Sequence, residues 1–200
     1  MCPVPQLSPS KGIAGVTALL LLAAPALVGP ARADEGLWRR LAAGGQVVLL
    51  RHATTTPGVG DPTGFRLDDC VTQRNLTEAG REESRRIGAA FKARAIPVAR
   101  VLSSRWCRCL ETARLAFGPA EPWEPLSSLF ADRTRQAEQT RAFRVLAGET
   151  RAGGNTILVT HGANANIVAF VSVSPAMAEM VIVTPQGNGN FTVAGRLPAP

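Results

Sequence analysis

Apolar residues along this chain follow two rhythms. Gln46 to Leu50 is a nearly continuous apolar run of strand length, and the same signature returns at Val98 to Leu102, Thr156 to Thr160 and Met180 to Thr184, with a further candidate at Phe191 to Leu197. Short continuous runs suit strands buried on both faces. Between them the stripe Gly80, Ser84, Ile87 and Phe91 recurs at helical spacing. It begins behind Thr77, a candidate N-cap, and its early members are small, as close packing on a sheet requires. Trp106, Cys109, Leu110, Ala113 and Phe117 mark a second helix, which Gly118-Pro119 ends. Weaker helical patterns cover Ala131 to Gly148 and Asn164 to Val171, and a short amphipathic lead-in surrounds Leu37, Trp38 and Leu41. Strands alternating with helices predict an α/β domain, a three-layer α/β/α arrangement around a mostly parallel sheet.

The start of the chain does not share this pattern. Lys11 precedes an uncharged stretch from Gly12 to Ala31 rich in Leu, Ala and Val, and Ala31-Arg32-Ala33 supplies a small-x-small triplet. These features predict a signal peptide over residues 1–33, cleaved after Ala33, and a single domain over 34–200. A run of this length could also serve as an uncleaved anchor. Pro25, Gly29, Pro30 and the triplet favour cleavage, and the expected mature protein is soluble, periplasmic or otherwise exported, and not stably inserted in the membrane. Loss of Lys11 and Arg32 lowers the net charge from +7 to about +5, and nearly all remaining cations are arginines. Arginine suits oxyanion recognition, because its planar fork donates two parallel hydrogen bonds. Nucleic acid is a poor partner, since no basic run is interleaved with aromatics and export removes the chain from the cytoplasm.

Cys2 leaves with the leader, so Cys70, Cys107 and Cys109 remain. An exported protein can hold a disulfide, and Cys70 could pair with Cys107 or with Cys109. Zinc held by Cys107, Cys109 and a histidine is the rival reading. The C-x-C spacing is too tight for the usual pattern, so no metal and no cofactor is expected.

The chain holds only two histidines, and each ends an apolar run: His52 follows Arg51, and His161 precedes Gly162. Ligands of open α/β sheets bind outside the carboxyl ends of the strands. Arg51-His52, Ser103 to Arg108 and His161-Gly162 are all expected at that edge. Arg105, Arg108 and Thr112 share a helix face apart from the apolar stripe, which turns Arg108 toward the strand ends. Two arginines and two histidines meeting at a helix N-terminus suit a small phosphorylated ligand. A neutral imidazole can attack phosphorus while guanidinium groups hold the equatorial oxygens.

LRHA (50–53), NLTEAGREES (75–84), SSRWCRCLETA (103–113) and VTHGAN (159–164), in this order, resemble the histidine phosphatase superfamily, with its phosphoglycerate-mutase-like fold. The resemblance implies a phosphoric monoester hydrolase that works through a phosphohistidine without metal. His52 would be the nucleophile, Arg51 its phosphate-binding neighbour, Arg108 the family's second arginine and His161 the transition-state partner. It also implies an acid for the leaving group. The family's glutamate falls near Ser128 in EPLSSLFAD, and the aspartate that another branch carries after its second histidine is replaced here by Gly162. Asp132 is the nearest downstream carboxylate and stands as the candidate acid, with Asp68, Asp69 and Glu179 behind it. The long Gly-, Pro- and Asp-rich insert TTTPGVGDPTGFRLDDC, with Phe65 and Arg66, and the nearby Arg74 are expected to shape substrate binding. An envelope sugar phosphate is the expected substrate type. A phosphomutase, or a phospho-ligand-binding protein with weak turnover, is the alternative.

Overall fold

The structure, a computed structural model, describes residue 1 and residues 30–129, 133–162 and 174–200. Most of the expected signal peptide, the helix expected over Asn164 to Val171, and Asp132 lie outside the described residues.

The apolar runs become strands of one six-stranded sheet: β1 (Val47–Arg51), β2 (Val98–Ser103), β3 (Glu121–Pro122), β4 (Asn155–Thr160), β5 (Met180–Gly187) and β6 (Asn190–Leu197). Their order is β3-β2-β4-β1-β5-β6. The pairings β3·β2, β2·β4 and β4·β1 are parallel, whereas β5 runs antiparallel to both β1 and β6. A two-residue turn, Asn188-Gly189, joins β5 to β6, with φ of 52° and 73° as a primed hairpin turn demands. The two-residue β3 was not expected, because a strand this short at a sheet edge has no apolar run to announce it.

Side chains alternate across the sheet and so build two cores. Val48, Leu50, Ile157, Val159, Met180 and Ile182 pack with residues of α1 (Pro30–Ala43), α2 (Glu78–Ala93) and α3 (Cys107–Phe117). Val47, Leu49, Leu102, Leu158, Val181 and Val183 pack on the opposite face with Phe143, Leu146 and Ala147 of α4 (Gln136–Ala147). Helices therefore cover both faces, giving three layers. The helix expected from Ala131 begins at Gln136, while the lead-in around Leu37 lies in a 14-residue helix.

The stripe read from the sequence of α2 is its buried face, Gly80, Ser84, Ile87 and Phe91, and the Thr77 hydroxyl caps the helix by accepting from the Gly80 N–H at 3.1 Å. Gly80 is required by contact: a Cβ there would lie 2.1 Å from the carbonyl oxygen of Thr54. The Glu83 carboxylate accepts from the Thr54 amide at 3.0 Å and from its hydroxyl at 2.9 Å. Helix α2 thus clamps the chain just beyond His52 to the edge of the sheet.

Candidate active site

Strand register puts the two histidines side by side. Arg51 pairs with Thr160 across the parallel β1·β4 ladder, so the next residues, His52 and His161, leave adjacent strands at the same level. Their ring centroids are 5.5 Å apart, and both side chains are buried. Strand β2 delivers Ser103 and Ser104 to the same edge, where the Ser104 amide donates to the Val159 carbonyl at 2.9 Å. Helix α3 then carries Arg108 back toward both rings. A cleft of about 130 Å³ opens here, lined by Arg51, His52, Gly60, Asp61, Arg74, Arg108, Ser128, His161 and Gly162.

Hydrogen bonds fix how each ring presents itself. Nδ1 of His52 lies 2.9 Å from the carbonyl oxygen of Ala53. A carbonyl can only accept, so Nδ1 carries the proton and Nε2 keeps a free lone pair. Burial holds the ring neutral, pushing its pKa down to about 3, and Arg108, Arg51 and Arg74 act in the same direction. His161 is also pushed well below its ordinary value, first by burial and then by Arg108. Its Nδ1 lies 3.4 Å from Nη2 of Arg108, which can only donate, and its Nε2 is 2.9 Å from Oγ of Ser104. The neutral ring therefore holds its proton on Nε2, aimed at Ser104. Cys109 sits against the same ring, 3.6 Å from Nε2; burial raises its thiol to about 12 and keeps it protonated.

Three guanidinium groups surround the rings. Arg51 donates from Nη1 to the Pro175 carbonyl at 2.7 Å, Arg74 from Nη1 to the Val59 carbonyl at 2.7 Å, and Arg108 from Nη1 to Oδ1 of Asp61 at 2.9 Å. Among the described residues the buried Nε–H of all three has no hydrogen-bond partner. Buried donors without partners are costly and rare. Burial and mutual repulsion lower the pKa values of Arg51 and Arg74, the expected sign for like charges gathered before an anion arrives. Gly162 is where space decides identity: a Cβ there would come within 2.6 Å of Nε and 2.7 Å of Cζ of Arg51.

The insert that follows β1 is held over this cleft. Cys70 and Cys107 form the disulfide, tying the insert to the first residue of α3 and leaving Cys109 free. Gln73 accepts from the Cys107 amide through Oε1 at 3.0 Å, and the Arg74 amide donates to Oδ1 of Asp61 at 3.0 Å.

Of the residues expected at the site, His52, His161, Arg51, Arg108 and Arg74 meet in the cleft, and Ser128 lines it as well. Several others do not. Arg105 precedes α3 and is exposed, so it shares no face with Arg108 and Thr112, which lie one turn apart inside the helix. Glu179 is no free acid, because its carboxylate takes two bonds from Arg196, at 2.6 and 2.7 Å, across the β5·β6 pair. Those bonds hold it below the ordinary carboxylate range. Asp68 is exposed, and Asp69 caps a short 3₁₀ turn over Cys70–Thr72 and pairs with Arg66. Phe65 stacks on Trp106, 4.6 Å between centroids. Sequence reasoning missed Asp61; it placed Ser104 at the strand ends and Thr112 on the face of Arg108 but gave neither a role, whereas Ser104 meets His161 and the Thr112 hydroxyl accepts from the Ala53 amide at 3.1 Å. A carboxylate between Gly60 and Pro62 was the only available signal for Asp61.

Comparison with known proteins agrees with this geometry. Residues 47–129 match the family described as the histidine phosphatase superfamily, branch 1. No curated protein matches the chain. Among solved structures, the protein histidine phosphatase SixA complexed with tungstate is 18% identical with a TM-score of 0.55, over 77% of this chain and 97% of that one. A phosphoserine phosphatase from Entamoeba histolytica, in complex with 3-phosphoglyceric acid, is 13% identical with a TM-score of 0.54, over 76% and 95%. At these identities the structural likeness speaks for the fold.

Proposed function

We propose that this chain, which carries the histidine phosphatase superfamily pattern over residues 47–129, is a phosphatase that hydrolyses a small phosphomonoester through a phosphohistidine on His52. The observation that carries the reading is the cleft itself: a neutral imidazole with an unprotonated Nε2, among three arginines whose buried Nε–H groups have no hydrogen-bond partner among the described residues. A phosphoryl group matches those donors in charge and geometry. Nε2 of His52 attacks phosphorus in line with the departing oxygen, and the bond from phosphorus to that oxygen breaks. Arg51, Arg74 and Arg108 stabilise the charge spread over the equatorial oxygens. A bound phosphate dianion favours protonation of His161, whose Nδ1–H can then donate to a phosphoryl oxygen. Water attacks the phosphohistidine from the opposite side and releases inorganic phosphate.

Three guanidinium groups supply the positive charge that a metal provides elsewhere, so the reaction is expected to proceed without one. The uncharged stretch from Gly12 to Ala31 and its Ala31-Arg32-Ala33 triplet support export, and the Cys70–Cys107 disulfide suits an oxidising compartment. An exported enzyme would meet phosphorylated envelope sugars, and a cleft of about 130 Å³ suits a phosphoryl group with a small leaving group. The test is hydrolysis of p-nitrophenyl phosphate in EDTA by the wild type and His52→Ala. Turnover in the wild type and its loss in the variant are expected; turnover that survives loss of His52, or that EDTA abolishes, overturns the reading.

A further inference from the structure

We propose that Asp61, carried in by the insert after β1, is the proton donor to the leaving group, in place of a carboxylate at position 128. This assignment rests on the phosphohistidine reading above.

Position 128 lines the cleft and is a serine, whose hydroxyl is too weak an acid to protonate a departing alkoxide. Asp61 lines the same cleft and is the one carboxylate that does so among the described residues. Its side chain is only 6% exposed, and it is held from two directions: Arg108 Nη1 and the Arg74 amide both donate to Oδ1, at 2.9 and 3.0 Å. Oδ2 accepts no hydrogen bond among the described residues, so the carboxyl is anchored through one oxygen and can carry a proton on the other. The anchoring chain is itself covalently fixed, because the disulfide ties Cys70 of the insert to Cys107 of α3, next to Arg108.

In the resting cleft Oδ1 of Asp61 is paired with Arg108. A phosphoester dianion brings a second negative charge against Asp61, and like charges in a confined site favour a shared proton. The balance is closed without any co-reactant but water. A monoanionic ester delivers its proton to Oδ2; His52 Nε2 forms its bond to phosphorus; the phosphorus–oxygen ester bond breaks; and the departing oxygen takes the Oδ2 proton, leaving alcohol, phosphohistidine and Asp61 carboxylate. In the second half the carboxylate takes a proton from the attacking water as the nitrogen–phosphorus bond breaks. That proton leaves with inorganic phosphate, so the carboxylate and the neutral imidazole are regenerated.

Asp61→Asn keeps the Oδ1 acceptor for Arg108 and for the Arg74 amide but has no transferable proton. General acids contribute about 10²- to 10⁴-fold, and most where the leaving group is a poor one. The expected result is a loss in kcat/KM of roughly 100-fold or more on an alkyl phosphate such as glycerol phosphate, against only about 5-fold on p-nitrophenyl phosphate, whose phenolate leaves unaided. Equal losses on the two substrates, no loss on the alkyl phosphate, or a wild type that hydrolyses only aryl esters would each overturn the assignment. A second measurement needs no variant: across substituted phenyl phosphates, the wild-type rate should depend weakly on leaving-group pKa, and a steep dependence contradicts a proton donor. Wild-type turnover that does not require His52 sinks the phosphohistidine reading, whereas His52-dependent turnover with equal Asp61→Asn losses sinks only the role of Asp61.

Discussion

Acidification from pH 7 to pH 4 should destabilise the protein through its buried histidines, and His52 sets the scale. Folding lowers its pKa from the ordinary 6.5 to about 3, chiefly by burial and further through Arg108, Arg51 and Arg74. The unfolded chain exposes the imidazole to water and binds a proton below about pH 6.5. Between the two values the unfolded chain holds a proton that the folded chain lacks. The stability contribution is therefore complete above pH 6.5 and is lost as the pH falls toward 3. At about 1.4 kcal/mol per pH unit the limit is about 5 kcal/mol, of which about 3 kcal/mol is gone at pH 4. His161, also pushed down, adds in the same direction. Urea denaturation at the two pH values, in wild type and His52→Asn, isolates the effect, because the carboxylates titrate alike in both proteins and the asparagine amide can still donate to Ala53. The variant should lose about 3 kcal/mol less than the wild type. Equal losses in the two proteins would show that His52 titrates normally in the folded state, and the argument for a permanently neutral nucleophile would fail.

Gly162→Ala should displace Arg51, because the new Cβ would meet Nε and Cζ while Nη1 is fixed on the Pro175 carbonyl. Loss of one charge-assisted hydrogen bond should weaken inorganic phosphate binding by roughly 10-fold or more, measured by calorimetry; unchanged affinity would contradict the placement of Arg51 at the phosphate. Replacing both Cys70 and Cys107 by serine opens a covalent link between residues 37 apart in sequence. The loop-closure relation gives a destabilisation of about 4 kcal/mol, to be read from denaturation midpoints, and a change under about 1 kcal/mol would show that the insert is held by its non-covalent contacts.

Local chemistry explains which parts of the site could be read from sequence. His52 and His161 end continuous apolar runs, and parallel strand ends meet at one edge, so their meeting followed from the pattern alone. The stripe on α2 was equally legible, since its capping hydroxyl and early glycine carry out a local geometry. Asp61 was not, because a loop has no periodicity to mark an inward side chain and its partner Arg108 is 47 residues away. Glu179 looked available for the converse reason: Arg196, which occupies it, reaches it only once β5 and β6 pair. The choice between Cys107 and Cys109 turned on helix phase, with Cys107 at the start of α3 meeting the insert and Cys109 facing the core and His161.

The central claim is a covalent phosphoryl group on His52. Mixing the protein with p-nitrophenyl phosphate, quenching at alkaline pH where phosphohistidine survives, and mapping peptides by mass spectrometry tests it directly. The account predicts one phosphoryl group on the peptide containing His52, at Nε2, gained on the time scale of turnover and absent from His52→Asn. Rapid hydrolysis with no trapped phosphoryl group, or one trapped on His161 or on a serine, would contradict it.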